Sequence, residues 1–289
     1  MGQLQRQAFR KTYGKIWDLA MIEVSTEAIS SLAQYYDRSL RCFTFGDFQL
    51  SPMVEEFEEI LGCPLGGRRP YLFSGFYPSL ARISKIVQIS GQELDHGKQV
   101  KNGVVGISRK CLEAKARTLA GKGEWAPLID ILALLIFGGV LFPNMDGLVD
   151  LAAIDAFLAY CDHRESPVVA MLADLYDTFD RRCEKSSTRI VCCTLALYDQ
   201  LLENKERAFV NWFPRWTEGR TGVLISCGGF PNVPLIGTRG CISYNPVLAI
   251  RQLGYPMRRA PLEEELVPVI SRGFNKTNGE TLQKVRKAW

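Results

Sequence analysis

Residues 150–179, DLAAIDAFLAYCDHRESPVVAMLADLYDTF, contain the clearest helical pattern of a chain of 289 residues. Asp150 is a typical N-cap for a first helix, and Ser166 with Pro167 begins a second one. The apolar residues of both helices recur at the spacing of one helix face. They are Leu151, Ile154, Phe157, Leu158 and Cys161 in the first helix, and Val168, Leu172, Leu175, Tyr176 and Phe179 in the second. The short link between the two predicts neighbouring helices of a bundle.

Helical signals continue on both sides of this pair. A third helix is predicted to begin at Ser186 or Ser187, because apolar residues follow at helical spacing. The same spacing predicts a helix within residues 25–40. Ser90 and Glu93 form a capping box, which marks the start of another helix.

Two short segments predict β structure instead. Residues 43–50 alternate apolar and polar side chains around Gly46, which is typical of a strand or a short hairpin. Residues 223–227, VLISC, are typical of a buried strand. Glycine and proline then predict a loop over residues 228–240.

These patterns together predict a mainly α-helical protein, a helical bundle with small β elements near 43–50 and 223–227. We interpret residues 1–289 as a single domain. Its helical part covers about residues 1–203, and a part rich in glycine and proline covers about residues 204–289.

Composition describes a globular protein but indicates no activity, since 47% of the residues are hydrophobic and 23% are charged. The net charge of +4 is too small to indicate a nucleic-acid or membrane partner. The cysteine count is odd and includes no C-x-x-C pair, which favours a reducing intracellular compartment, nuclear or cytoplasmic. The apolar run 131–142 is shorter than the roughly 20 residues of a membrane span, so it predicts a buried core helix and no membrane partner.

Charge is distributed unevenly along the chain. Residues 98–122 contain seven basic residues and one acidic residue, Glu113, whereas residues 146–180 contain eight acidic residues and one arginine, Arg164. Solvated helix faces explain most runs of this kind. The alternative is that the basic residues contact nucleic acid, and these are Lys98, Lys101, Arg109, Lys110, Lys115, Arg117 and Lys122.

No catalytic constellation is recognisable, and the sequence predicts no catalytic residue, no cofactor and no metal ligand. The chain has only two histidines, His96 and His163, and neither has metal-ligand spacing. Cys227 precedes Gly228 and Gly229, whose amides could form an oxyanion site. A thiolate nucleophile also needs a base, which nothing in the local sequence supplies. Two interpretations of this residue therefore stay open, a core cysteine and a nucleophile.

Several segments resemble the plant mobile domain family, whose members often carry the label "aminotransferase-like". They are YGKIW (13–17), FTF (43–45), LGCPLGG (61–67), LFPN (141–144), AMLADLY (170–176) and NPVLAIRQLG (245–254). Two more segments resemble the branch expanded in legumes, a plant domain of unknown function. They are WFPRW (212–216) and CGGFPNVPL (227–235).

The resemblance implies a protein of transposon-related origin. The family occurs in transposable elements and in nuclear proteins linked to transposon silencing, genome stability and meristem maintenance. The residues do not support aminotransferase chemistry, which needs a Schiff-base lysine, an acidic partner for the pyridine nitrogen and a glycine-rich phosphate cradle. The link over residues 203–209 is shorter than in the legume relatives.

Three hypotheses follow. The first is a non-enzymatic intracellular module of transposon-related origin that binds protein or nucleic acid in the nucleus. The second is an enzyme of unrecognised type that uses Cys227 or the aspartates of residues 146–180. The third is a shortened gene product without activity, because of the short link at 203–209. The sequence identifies no small-molecule substrate for any of the three.

Overall fold

Helices form most of the computed structural model, which describes residues 2–45, 49–199, 224, 226–245, 263 and 269–289. Small antiparallel sheets accompany them, so the predicted class, mainly α with small β elements, is confirmed. The first ten helices are Gln3–Tyr13 (α1), Ile16–Leu19 (α2), Thr26–Leu32 (α3), Val54–Leu61 (α4), Leu80–Val87 (α5), Gly91–Gly97 (α6), Arg109–Lys122 (α7), Trp125–Ile136 (α8), Leu151–His163 (α9) and Val168–Glu184 (α10). Residues 194–199 are also helical, and a C-terminal helix covers Gly279–Ala288.

The strands of the described residues form three sheets of three strands each, in the orders β1-β2-β3, β4-β5-β6 and β7-β8-β9. Within each sheet, strands that follow one another in the chain are antiparallel neighbours. The strands are Tyr36–Asp37 (β1), Cys42–Thr44 (β2), Gln49–Leu50 (β3), Lys98–Lys101 (β4), Val104–Ser108 (β5), Leu148–Asp150 (β6), Val233–Ile236 (β7), Gly240–Tyr244 (β8) and Ile270–Arg272 (β9).

The central helices α9 and α10 begin as predicted. The Asp150 carboxylate accepts a hydrogen bond from the Ala152 amide at 3.0 Å and so caps α9. The main neighbours of α9 are the π-helical turn Phe137–Leu141, α8, α5, β5 and β6, whereas those of α10 are α4, β7 and β8. The packing of α9 against α10 that the short link predicted is not among these main contacts. Every residue of α10 from Val168 to Asp180 is buried. Up to Asp180 this helix is therefore enclosed on all sides and does not bury one face only.

Two predicted helix bounds are wrong. The helix expected within residues 25–40 ends at Leu32, because Tyr36 enters strand β1 and packs its ring against Phe43. The helix expected from Ser186 or Ser187 begins only at residue 194. Residues 185–193 lie along α10 instead, where the Thr178 hydroxyl donates to the Val191 carbonyl at 3.0 Å.

The two predicted β elements have different outcomes. The hairpin near 43–50 is confirmed, since β2 pairs with β3. The strand expected over 223–227 is not found at its described positions, where only Cys227 makes a single bridge, to Phe230. Strand β7 instead arises within the segment that was predicted to be a loop, and its partner β8 begins at the last residue of that segment, Gly240. Pro234 lies in β7, an edge strand, where the missing N–H of proline is tolerated.

The apolar run 131–142 forms the second half of α8 and the π-helical turn. Ile131, Leu134 and Phe137 are almost completely buried, so the predicted core helix is confirmed. Among the described residues, no helix combines the length and the apolar character of a membrane span. Three segments named in the sequence analysis lie outside the described residues. They are the short link 203–209 and the segments 212–216 and 246–254, which contributed to the family resemblance.

Candidate nucleic-acid interface

The first part of the basic block lies on an exposed hairpin. Asn102 and Gly103 have φ angles of 51° and 80°, as in the type I′ turn that joins two strands tightly. Strand β4 pairs with β5 and forms an edge of its sheet. All four of its residues are exposed, including Lys98 and Lys101. An edge strand that carries lysines resists pairing with other chains while keeping its charges in water.

The second part of the basic block lies on α7, where helical geometry separates it into two flanks. Leu112, Ala116 and Leu119 form the buried stripe of this helix. At 3.6 residues per turn, Lys110 and Lys115 lie about 140° apart around the helix axis. We define the first flank as Arg109, Lys110 and Arg117, and the second flank as Lys115 and Lys122.

The first flank lies beside the β4–β5 hairpin. The Arg109 amide donates to the Gly147 carbonyl at 3.0 Å, and the Lys101 ammonium lies 3.5 Å from the carbonyl oxygen of Asp146. Lys101 and Arg109 therefore both contact the turn 146–147. The second flank borders α6, the helix that contains Glu93. Hydrogen bonds with Ser90 lower the pKa of the Glu93 carboxyl most, and the positive charge of Lys115 lowers it to a smaller extent.

Few charges of the basic block are neutralised. Arg109 and Arg117 share Glu113, with N–O distances of 2.7 and 3.7 Å. The five lysines of the block form no ion pair with any carboxylate in the part of the chain that the structure describes. We call the seven residues together the basic surface. It keeps nearly all of its excess positive charge facing solvent.

The three carboxylates that the acidic block contributes to α10 are neutralised inside the protein by arginines, most of which come from other segments. The Asp174 carboxylate accepts from the Thr238 amide at 2.9 Å and lies 3.7 Å from the Arg239 guanidinium. Burial raises the pKa of Asp174, and Arg239 opposes this shift. Asp177 pairs with Arg181, Arg239 and Arg272, and Asp180 pairs with Arg38 and Arg41.

Four of the five remaining acidic residues of the block also have identified roles or partners. Asp146 pairs with Arg189, Asp162 pairs with Arg82, Asp155 accepts from the Tyr71 hydroxyl, and Asp150 caps α9. The two charge blocks therefore do not neutralise each other. Sequence reasoning missed the arginine partners, since a lone arginine in a loop carries no local signal of its partner.

The surroundings of Cys227 do not favour a nucleophile. Its side chain is buried, and burial raises the pKa of the thiol to about 11. Activation of a cysteine requires the opposite shift. His96, one of two histidines that could act as a base, places its Nδ1 2.7 Å from the Gln92 carbonyl of its own helix.

We expect thiol labelling at pH 8 to modify Cys227 no faster than the exposed Cys183. With a pKa of about 11, only about one Cys227 side chain in a thousand is a thiolate at this pH. Peptide mapping after timed exposure to iodoacetamide measures both rates in the same sample. Labelling of Cys227 at least tenfold faster than that of Cys183 would restore the nucleophile hypothesis.

All nine cysteines are free thiols. Among the described residues, no three His, Cys, Asp or Glu side chains are grouped closely enough to hold a metal ion. The aspartates of 146–180 are engaged in caps, hydrogen bonds and ion pairs rather than gathered at one open site.

The structure thus defines a mainly α-helical protein with an exposed basic surface and an internally neutralised acidic helix. A family model described as "Domain of unknown function (DUF7745)" matches residues 1–208 and 199–289. The chain therefore belongs to this family. Neither the curated proteins nor the solved structures that were compared with it give a match.

Proposed function

We propose that this chain is a non-enzymatic intracellular module that binds nucleic acid through the basic surface. The observation that supports this proposal is the contrast between the two charge blocks. The buried carboxylates of the acidic block, Asp174, Asp177 and Asp180, are neutralised by arginines. The lysines of the basic block form no ion pair with described carboxylates, and all of them except the half-buried Lys115 are exposed. Such lysines can exchange their counterions for phosphates, which is the main source of affinity for nucleic acid.

The resemblance to the plant mobile domain supports a narrower form of the proposal. In that form the module has a transposon-related origin and acts in the nucleus, in transposon silencing or meristem maintenance. The support for this narrower form is the set of matching segments alone. Enrichment of a tagged chain in nuclei of plant cells tests the compartment, and exclusion from nuclei would contradict it.

Fluorescence anisotropy across a salt series tests the binding itself. With a labelled DNA duplex, we expect the logarithm of the affinity to fall with the logarithm of salt at a slope of about −3 or steeper, which corresponds to at least three or four phosphate contacts. The triple variant Lys110→Ala, Lys115→Ala, Arg117→Ala should make this slope shallower by up to about 2.7, since each lost contact removes about 0.9.

A matched control replaces three exposed lysines outside the block, Lys11, Lys284 and Lys287, by alanine. This control changes the net charge by the same amount as the first triple variant. Because its three lysines lie outside the basic surface, it should leave most of the slope intact. An equal change in both triple variants would show that net charge matters and the basic surface does not. Absence of binding at low salt would refute the proposal and favour a protein partner.

A further inference from the structure

An arginine from outside the basic block lies at the turn that Lys101 and Arg109 also contact. The Arg189 guanidinium donates to both oxygens of the Asp146 carboxylate, at 3.2 and 3.1 Å. The backbone carbonyl of the same aspartate lies 3.5 Å from the Lys101 ammonium, and the Gly147 carbonyl accepts from the Arg109 amide at 3.0 Å. Three cationic residues from different parts of the chain therefore lie around one exposed turn.

The turn over residues 144–147 is fixed by its own contacts. The Asn144 side chain donates to the carboxylate of Asp150, the cap of α9. Gly147 adopts a φ of +74°, which glycine tolerates better than other residues, and a Cβ atom at this position would lie 3.7 Å from the Lys101 Nζ atom. The lysine ammonium is therefore held against the turn.

Arg189 belongs to a segment that is attached to α10 on both sides of it. The Thr188 carbonyl accepts from the Arg182 guanidinium at 2.9 Å, and the Val191 carbonyl accepts from the Thr178 hydroxyl at 3.0 Å. The arginine side chain is 62% exposed and donates through one terminal nitrogen, Nη2. Its Nε and Nη1 groups form no hydrogen bond with the described residues, so these donors stay available to a ligand.

The Asp146 carboxylate can be replaced as the partner of this arginine. Its side chain is 87% exposed, and exposed ion pairs contribute little to stability because water solvates both charges. A phosphate offers an arginine the same pair of acceptor oxygens as a carboxylate does. Exchange of one for the other therefore costs the protein little, and the Lys101 ammonium at the same turn favours the phosphate.

We propose that Arg189 binds a backbone phosphate of the nucleic acid beside Lys101, and that Asp146 occupies the guanidinium until the phosphate displaces it. The inference rests on the function proposed above and adds to it one binding residue and one competing carboxylate. Arg189 and Asp146 are 43 positions apart in the sequence, so the fold alone brings them to the basic surface.

Anisotropy with a labelled DNA duplex tests both roles. We expect Arg189→Ala to make the salt slope shallower by about 0.9 and to weaken binding about eightfold at 0.1 M salt, the loss of one phosphate contact. Asp146→Asn should instead tighten binding about two- to eightfold, because the carboxylate no longer competes for the guanidinium. In the Arg189→Ala background this gain should shrink to less than about twofold, since no guanidinium remains to be released.

The exposed ion pair of Arg82 with Asp162, at 2.8 Å between α5 and α9, is the matched control. Arg82→Ala and Asp162→Asn change the net charge by the same amounts as the two test substitutions. They should leave both the affinity and the salt slope as they are, because this pair lies outside the basic surface. Circular dichroism should show that all variants fold, since none of the four side chains is buried.

The outcomes separate this inference from the function on which it rests. Salt-dependent binding that Arg189→Ala leaves unchanged would overturn the inference and leave the proposed function standing. Equal effects of Arg189→Ala and Arg82→Ala would also overturn it, because net charge would then explain both. Weaker binding by Asp146→Asn would contradict the competing role of the carboxylate. If the duplex does not bind even at low salt, the proposed function itself fails, and the inference fails with it.

Discussion

Replacing Asp174 by alanine is expected to lower the free energy of unfolding by about 3–5 kcal/mol, the cost of removing one partner from a buried ion pair. The carboxylate accepts from both the amide and the hydroxyl of Thr238 and pairs with Arg239. These two residues belong to the turn between β7 and β8, so Asp174 ties the C-terminal sheet to α10. Urea unfolding followed by circular dichroism measures the loss.

An exposed ion pair provides the matched control for this prediction. Asp162 pairs with Arg82 at 2.8 Å, and both side chains are partly exposed. Asp162→Ala should cost no more than about 1 kcal/mol, since exposed pairs contribute little. Equal losses in the two variants would contradict a special role for Asp174. If Asp174→Ala does not fold at all, Asp174→Asn offers a milder variant, because its amide oxygen still accepts from Thr238.

Reversing the charge of Lys101, Lys110 and Arg117 is expected to weaken nucleic-acid binding about 500-fold at 0.1 M salt. Each phosphate contact contributes about 0.9 to the slope of log affinity against log salt. Three contacts therefore raise the affinity by about 2.7 decades, or about 500-fold, when the salt concentration falls from 1 M to 0.1 M. Lys110 and Arg117 point away from the buried stripe of α7, and Lys101 lies beside Arg109 of the same flank. Anisotropy with a labelled DNA duplex measures the change, because the factor of about 0.9 per contact holds for duplex DNA.

The second flank supplies the comparison within the same helix. Lys115→Glu with Lys122→Glu should weaken binding less than about tenfold, because this flank faces α6 and the Glu93 carboxylate. Charge reversal at Lys11, Lys85 and Lys284 controls for net charge. A larger effect at the second flank than at the first would place the interface on the α6 side and contradict phosphate contacts at Lys101, Lys110 and Arg117.

The short-range features of this protein follow from its sequence alone. The pair α9 and α10, the Asp150 cap, the Ser90 capping box and the hairpin near 43–50 all depend on residues a few positions apart. Local hydrogen bonds and hydrophobic periodicity determine such features wherever the segment lies in the fold. The division of α7 into two flanks also belongs here, because helical period applied to the basic residues would have predicted it.

The tertiary structure alone decided which charges are neutralised and which remain available. Asp174 meets Arg239 across 65 positions of sequence, and β8 pairs with β9 across a long connection. Glycine and proline around β7 also concealed the C-terminal sheet, since both residues are poor local predictors of strands. Ion pairing depends on distance and burial, which chain folding sets between remote segments. For this reason the carboxylates of α10, prominent in the sequence, became internal, whereas the lysines of the basic surface stayed without ion pairs among the described residues.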